Sequence, residues 1–85
     1  MHELAELRNI GPVSARRLEA AGVASQQDLE ALGAVEAYLV VKKRFPEHTS
    51  LNLLYALEGA LLDIPWDEVP HVLRQRLREQ ANRTA

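Results

Sequence analysis

The chain has 85 residues, of which 47% are hydrophobic, and its 10 Lys and Arg residues against 12 Asp and Glu give a net charge of −2. This length allows one domain at most, and the apolar share predicts a folded core rather than a disordered chain. The absence of cysteine excludes disulfides, thiolate metal sites and cysteine nucleophiles. The near balance of charge argues against a strong stand-alone nucleic-acid binder.

No apolar run approaches the roughly 20 residues that span a bilayer. The N-terminus alternates charged residues with leucine and does not have the pattern of a signal peptide. We therefore expect a cytoplasmic protein that has no membrane partner.

Good helix formers dominate the sequence, which predicts an all-α fold, a compact bundle of five or six short helices. Gly and Pro fall between the periodic segments, as helix punctuation does. Gly22 is expected to end one helix in a left-handed cap, and Ser25, with Asp28 three residues on, is expected to begin the next. Taken in chain order, the predicted helices cover 2–8, 12–21, 25–32, 34–44, 51–62 and a last segment that begins near Pro70.

The segment 51–62 is apolar in almost every direction, so it is expected to be the central core helix, capped by Thr49 or Ser50. Glycine costs about 1 kcal/mol relative to alanine inside a helix. A close approach of two helices is therefore the expected purpose of Gly59. In the last helix, we expect Val69, Val72, Leu73 and Leu77 to form the apolar stripe.

The most informative local segment is Leu7-Arg8-Asn9-Ile10-Gly11-Pro12-Val13-Ser14, followed by Ala15-Arg16-Arg17-Leu18. It resembles a helix-hairpin-helix motif, in which a Gly-hydrophobic-Gly turn joins two helices. The hydrophobic residue, here Ile10, plugs the core. The free N–H groups at the start of the second helix can then bind a phosphate without reading base sequence.

Two positions depart from that motif. Asn9 replaces the first glycine; it tolerates left-handed geometry, but its side chain is expected to crowd the approach. Val13 stands where a lysine is common in DNA-binding copies. Residues 1–22 carry three arginines and three glutamates, so little counterion release is available. We therefore favour a structural or protein-contact role over a DNA clamp. The candidate contact residues for a partner or a phosphate are Asn9, Ile10, Gly11, Pro12, Val13, Ser14, Arg16 and Arg17.

Longer strings carry a more specific resemblance. They are Leu29-Glu30-Ala31-Leu32-Gly33-Ala34-Val35-Glu36-Ala37-Tyr38 and Ser50-Leu51-Asn52-Leu53-Leu54-Tyr55-Ala56-Leu57-Glu58-Gly59-Ala60-Leu61, followed by Trp66 and Pro70. Together with Ile10-Gly11-Pro12, they resemble the C-terminal domain of the TfoX/Sxy family, bacterial regulators of natural competence, over roughly residues 4–80.

The resemblance implies that residues 1–85 form a single helical domain of the helix-hairpin-helix or SAM-like kind, without the N-terminal α/β domain that family members often carry. It also suggests a part in competence or transcriptional control through protein or DNA contacts. The family supplies no catalytic residues to carry over, so we expect neither an enzyme nor a cofactor.

Outside these strings, the sequence offers binding surfaces rather than chemistry. His2, His48 and His71 lack metal-ligand spacing, so no metal is expected. Trp66 is expected to pack against the last helix, the alternative being a partner anchor. Asn52, Tyr55 and Glu58, at helical spacing, are expected to form a buried hydrogen-bond network; the alternative is a polar contact surface.

Charge is distributed unevenly along the chain. Lys42, Lys43 and Arg44 form the densest basic cluster, residues 58–68 carry only acidic charges, and residues 69–85 are basic. The acidic segment and the last helix are therefore candidates to pair, within one chain or between two. An unidentified protein partner is expected, with weak nucleic-acid binding or none, and a homodimer is a further alternative.

Overall fold

The computed structural model describes residues 3–84. The elements are a 3-10 turn at Glu3–Glu6, α1 at Pro12–Ala20, α2 at Gln26–Arg44, α3 at Leu51–Leu62, a second 3-10 turn at Trp66–Glu68, and α4 at His71–Thr84. No strand occurs in this part of the chain, and the all-α prediction is confirmed. Helix α3 packs most extensively against α2, α4 contacts both, and α1 lies against α2 and the first 3-10 turn.

Residues 3–84 form four α-helices rather than the predicted five or six. The helix predicted over 2–8 is instead the 3-10 turn Glu3–Glu6, and His2 lies outside the described residues. The N–H of Leu7 donates to the Leu4 carbonyl and that of Ile10 to the Leu7 carbonyl, both at 3.1 Å. Such a short segment cannot offset the cost of nucleating an α-helix, so it keeps the tighter geometry.

The predicted caps of α1 and α2 are present. After α1, Gly22 has a φ of +100°, and the Val23 N–H donates to the Leu18 carbonyl at 2.8 Å. This satisfies carbonyls that the helix end leaves open. At the start of α2, the Ser25 hydroxyl oxygen accepts from the Asp28 N–H at 3.1 Å.

The helices predicted over 25–32 and 34–44 meet at Gly33. They form one element, α2, in which Gly33 has non-helical angles of φ 80° and ψ 168°. The sequence correctly placed the break at Gly33, but a single residue bridges it, so no loop separates the two halves.

The core lies between α2, α3 and the inner faces of α1 and α4. Leu77 and Ala81 are the buried residues of α4, whereas Val72 is 62% exposed, so its predicted place in the apolar stripe is wrong. Residues 73, 77 and 81 recur at the four-residue spacing of one helix face, and Val72 lies off that line. The buried cluster comprises Leu4, Ile10, Ala15, Leu18, Val23, Leu29, Ala34, Ala37, Tyr38, Val41, Leu54, Tyr55, Leu57, Leu77 and Ala81.

Candidate functional site

The turn before α1 has the left-handed residue that its sequence requires. Asn9 has a φ of 72°, and Ile10, at 4% exposure, plugs the core as predicted. The Asn9 side chain does not crowd the outer surface of the turn, contrary to the expectation. Its Nδ2 donates to the Ile64 carbonyl at 2.9 Å and its Oδ1 accepts from the Trp66 N–H at 3.0 Å. Asn9 thus satisfies backbone groups of the connection that follows α3.

Gly59 serves a close approach, but not between two helices as predicted. A Cβ at this position would lie 2.5 Å from the Asn9 Nδ2 atom and 2.8 Å from the Ile64 carbonyl oxygen. The neighbours are therefore a side chain of the turn and the backbone that follows α3. Glycine in α3 is what allows the turn and the α3–α4 connection to meet.

The N-terminus of α1 remains open. Gly11 is the N-cap residue, no side chain caps the helix, and no acidic residue lies in its first turn. Pro12 takes the first helical position, and Val13 is 51% exposed. Of the predicted contact residues on α1, Ser14 is half-buried and Arg16 exposed. The Nη1 atom of Arg17 donates to the His48 carbonyl at 3.0 Å.

Several of these residues line one groove of about 400 Å³ between α1, α3 and the second 3-10 turn. We call it the hairpin groove. Its polar lining consists of Asn9, Ser14, Arg17, His48, Ser50 and Asn52, together with Thr49. Among the described residues, no Asp or Glu lines it, so its ionisable lining is Arg17 and His48.

The start of α3 borders the same groove. Ser50 is its N-cap residue but makes no side-chain cap bond, and Thr49 donates its hydroxyl to the Phe45 carbonyl at 2.7 Å. Asn52 is exposed and makes no hydrogen bond within the described residues. Of the two cap candidates, Ser50 holds the position without the expected side-chain bond.

Apolar surface completes the groove. Leu53 and Ala56 of α3 line it together with Trp66, which is 44% exposed. The Trp66 ring lies 5.6 Å from the Arg74 guanidinium of α4, so it contacts the last helix as predicted but is not enclosed by the core. Leu51, next to Asn52, and Val13, next to Ser14, are 41% and 51% exposed.

Tertiary structure brings the basic end of α2 beside α1. The guanidinium groups of Arg17 and Arg44 lie 6.0 and 5.7 Å from the centre of the Phe45 ring, within the range of a cation–π contact. The Nζ atom of Lys42 donates to the Thr49 carbonyl at 3.1 Å. We call Arg17, Lys42 and Arg44 the basic rim. No local sequence pattern predicts this grouping, because Arg17 and Arg44 lie on different helices and no spacing rule connects them.

The predicted network of Asn52, Tyr55 and Glu58 is wrong, because within residues 3–84 neither Asn52 nor Glu58 makes a hydrogen bond. The Tyr55 hydroxyl accepts from Arg78 of α4 at 3.2 Å, but Glu58 makes no hydrogen bond or ion pair within residues 3–84. Burial raises the pKa of Glu58 above its ordinary value. The pKa of Tyr38 is also raised, mainly by burial and to a smaller extent by the charge of Tyr55.

The acidic segment does not pair with α4 in this chain. Asp63 lies 3.5 Å from Arg8, in an ion pair that is largely exposed. Arg74 instead donates to the Val69 and Trp66 carbonyls at 3.1 and 3.0 Å. Pairing between two chains stays a prediction.

Within residues 3–84, no three His, Asp or Glu side chains come together as a metal site would require. In the same part of the chain, no helix combines the length and apolar character needed to cross a membrane.

Comparison with known proteins agrees with the sequence resemblance. A family model of the TfoX C-terminal domain matches residues 1–81. No curated protein matches the chain.

Two crystal structures have a closely similar fold. An uncharacterized protein from Listeria monocytogenes, in a triclinic form, is 31% identical with a TM-score of 0.85, covering 95% of this chain and 91% of its own. A protein of unknown function from the same organism, in a tetragonal form, is 33% identical with a TM-score of 0.83, covering 89% and 93%.

Proposed function

The chain belongs to the TfoX C-terminal domain family, and from this we propose that it is a non-enzymatic helical interaction module that binds another protein through the hairpin groove. Its role would be regulatory, in competence or transcription, as family membership suggests. The observation that carries the proposal is an open groove in which a half-exposed tryptophan stands beside unpaired polar groups.

The lining of the groove supports binding to protein. Exposed aromatic and apolar side chains next to hydrogen-bonding groups are typical of protein interfaces, and tryptophan is enriched among the residues that dominate binding energy. Trp66 and Leu53 supply the apolar part, whereas Ser14 and Asn52 supply polar groups. Among the predicted contact residues, Asn9 and Ile10 would act by holding the turn, because their side chains are engaged or buried.

The test uses the full chain and a random peptide display library. Asn52→Trp places a bulky side chain at the groove without removing a hydrogen bond, and Gln75→Trp, on the exposed side of α4, is the matched control. Peptides selected on the unsubstituted chain should bind the control equally and lose most of their affinity for Asn52→Trp. Equal binding to both variants contradicts the proposal.

Nucleic acid is the second candidate, acting through helix-hairpin-helix-like contacts of the turn with phosphates. It is favoured by the open N-terminus of α1, where the N–H groups of Val13 and Ser14 have no side-chain cap, and by Arg16 and Arg17 on the same helix. Helix N-termini and nearby arginines are the usual phosphate ligands.

Labelled duplex DNA tests this second candidate, first at low salt and then at rising salt. Phosphate contacts should produce binding that weakens steeply with salt and falls in Arg16→Ala/Arg17→Ala. Absence of binding at low salt, or binding indifferent to these substitutions, rules the candidate out.

A further inference from the structure

The charged side chain that lines the hairpin groove is positive. Arg17 and His48 are its ionisable lining residues among those described. Lys42 reaches the groove through the Thr49 carbonyl, and Arg44 shares the Phe45 ring with Arg17. Arg44 itself lies outside the groove, in an adjoining depression that it lines with Lys43. The groove thus has Arg17 and no carboxylate in its lining among the described residues, so a negative group entering there meets attraction with little opposing charge.

Trp66 also lines the groove, and its side chain is 44% exposed, with the ring 5.6 Å from the Arg74 guanidinium. The chain continues from it into Asp67 and Glu68, both exposed. A ligand carboxylate is disfavoured near these two carboxylates by like-charge repulsion and favoured near Arg17. The groove thus combines a cationic side chain with exposed aromatic surface.

From this arrangement, and resting on the proposed function, we propose that the groove binds an acidic segment of a partner protein, with its carboxylates over Arg17 and Arg44 and an apolar side chain against Trp66. Arginine suits this role because its planar fork can pair with both oxygens of a carboxylate.

A protein segment fits the groove better than a nucleic-acid backbone does. Val13, 51% exposed, places an apolar side chain at the open end of α1, where a phosphate would approach.

A second cleft, between α2, α3 and α4, has no such preference. It is lined by Leu32, Gly33, Glu58, Leu73 and Arg76, so it holds both signs of charge. A third depression, lined by Ala20, Ala21, Val40, Lys43 and Arg44, is cationic but has no aromatic side chain in its lining. Positive charge together with an exposed aromatic ring therefore distinguishes the hairpin groove, and electrostatic complementarity selects partners more than it adds raw affinity.

The experiment reads the composition of the peptides selected on the full chain. Enriched sequences should combine Asp or Glu with an aromatic or large aliphatic residue. A labelled peptide from this set is then compared, by fluorescence polarisation, with its counterpart carrying Asn and Gln at the acidic positions. The neutral counterpart should bind about tenfold more weakly, and affinity for the acidic peptide should fall as salt rises.

Variants locate the carboxylates. Arg17→Ala/Arg44→Ala should weaken the acidic peptide about tenfold, whereas Arg76→Ala/Arg83→Ala, which removes two exposed charges of α4, should not. Because Arg17 also holds the His48 carbonyl, Arg17→Lys/Arg44→Lys keeps the charge and should retain more affinity than the alanine pair. Thermal melts confirm that each variant is folded.

The outcomes distinguish a failure of the acidic-segment proposal from a failure of the groove as a protein-binding site. Acid-poor peptides that still lose affinity for Asn52→Trp overturn the acidic segment and leave the groove as a protein-binding site. Peptides indifferent to Asn52→Trp, or a selection that enriches no sequence, overturn both. Duplex DNA that displaces the peptide and depends on Arg17 and Arg44 replaces the acidic segment with nucleic acid.

Discussion

The Asn9 side chain occupies the space that a side chain on Gly59 would need: its Nδ2 atom lies 2.5 Å from the position that a Cβ on residue 59 would take. The same amide donates to the Ile64 carbonyl at 2.9 Å, and Ile64 lies two residues after the end of α3. The turn before α1, the body of α3 and the start of the α3–α4 connection are thus packed at one point. This point also borders the hairpin groove, because Asn9 and Trp66 line it.

Gly59→Ala should destabilise the protein, although alanine is the better helix former by about 1 kcal/mol. The added methyl group would meet the Asn9 amide and the Ile64 carbonyl, and the backbone oxygen cannot swing aside. We expect a net loss of about 1–3 kcal/mol, typical of overpacking, measured by urea unfolding.

The double variant Asn9→Gly/Gly59→Ala tests the cause. Removing the Asn9 side chain should relieve part of the clash, so the double variant should lose less than the sum of the two single losses. Additive losses would show that Asn9 is not the obstacle.

Asn9→Gly and Asn9→Ala should separate the two roles of this residue, its left-handed backbone conformation and its side-chain hydrogen bonds. Glycine keeps the left-handed backbone but loses the bonds to Ile64 and Trp66, and we expect a cost of about 1–3 kcal/mol. Alanine loses the same bonds and also strains at φ 72°, which adds about 1–2 kcal/mol. Urea unfolding of both variants measures the difference; equal stabilities would contradict it.

Arg74→Lys should be a costly exchange. The guanidinium donates to the Val69 and Trp66 carbonyls at 3.1 and 3.0 Å and lies 5.0 Å from the Tyr55 ring centre. A lysine cannot reproduce this planar fork, so we expect a loss of about 1–2 kcal/mol and a changed Trp66 emission. Arg76→Lys, on the exposed face of α4, is the control; the same stability in both variants would refute the expectation.

Glu58 should make stability fall as pH rises. Burial raises its folded pKa above the ordinary value, so the folded state binds more protons than the unfolded state between these two pKa values. Its destabilising effect is absent below the ordinary glutamate pKa and complete above the raised one. Glu58→Gln should therefore raise Tm at neutral pH.

The gain from Glu58→Gln should shrink as pH falls toward the ordinary pKa of glutamate. Glu47→Gln, on an exposed loop residue, serves as the control and should show no such trend. A Tm gain for Glu58→Gln that is the same at both ends of this range would contradict the linkage.

Local sequence determined the helices and most of their ends. Gly22 ends α1, Ser25 caps α2 and Gly33 breaks it, as predicted. These outcomes depend on groups within a few residues of one another, since a helix turn and its caps are closed by near neighbours. The exception, the 3-10 turn Glu3–Glu6, was too short for the pattern to decide its geometry.

The site depended on contacts that no local pattern contains. The sequence placed Asn9 in a left-handed turn, but only the packing of α3 could show that its side chain turns inward, toward partners 47 to 57 residues away. Likewise, in the sequence the basic cluster at the end of α2 and the neutral turn before α1 are separate segments. The packing of α1 against α2 brings Arg17 and Arg44 to the same Phe45 ring.

By itself, then, the sequence determined an all-α fold, because helix periodicity, caps and breaks act over a few residues. Its longer strings also carried the resemblance to the TfoX C-terminal domain. Only the tertiary structure decided that the turn, the start of α3 and Trp66 form one groove with Arg17 in its lining. That arrangement follows from how the helices pack, and side chains distant in sequence meet only when the whole core closes.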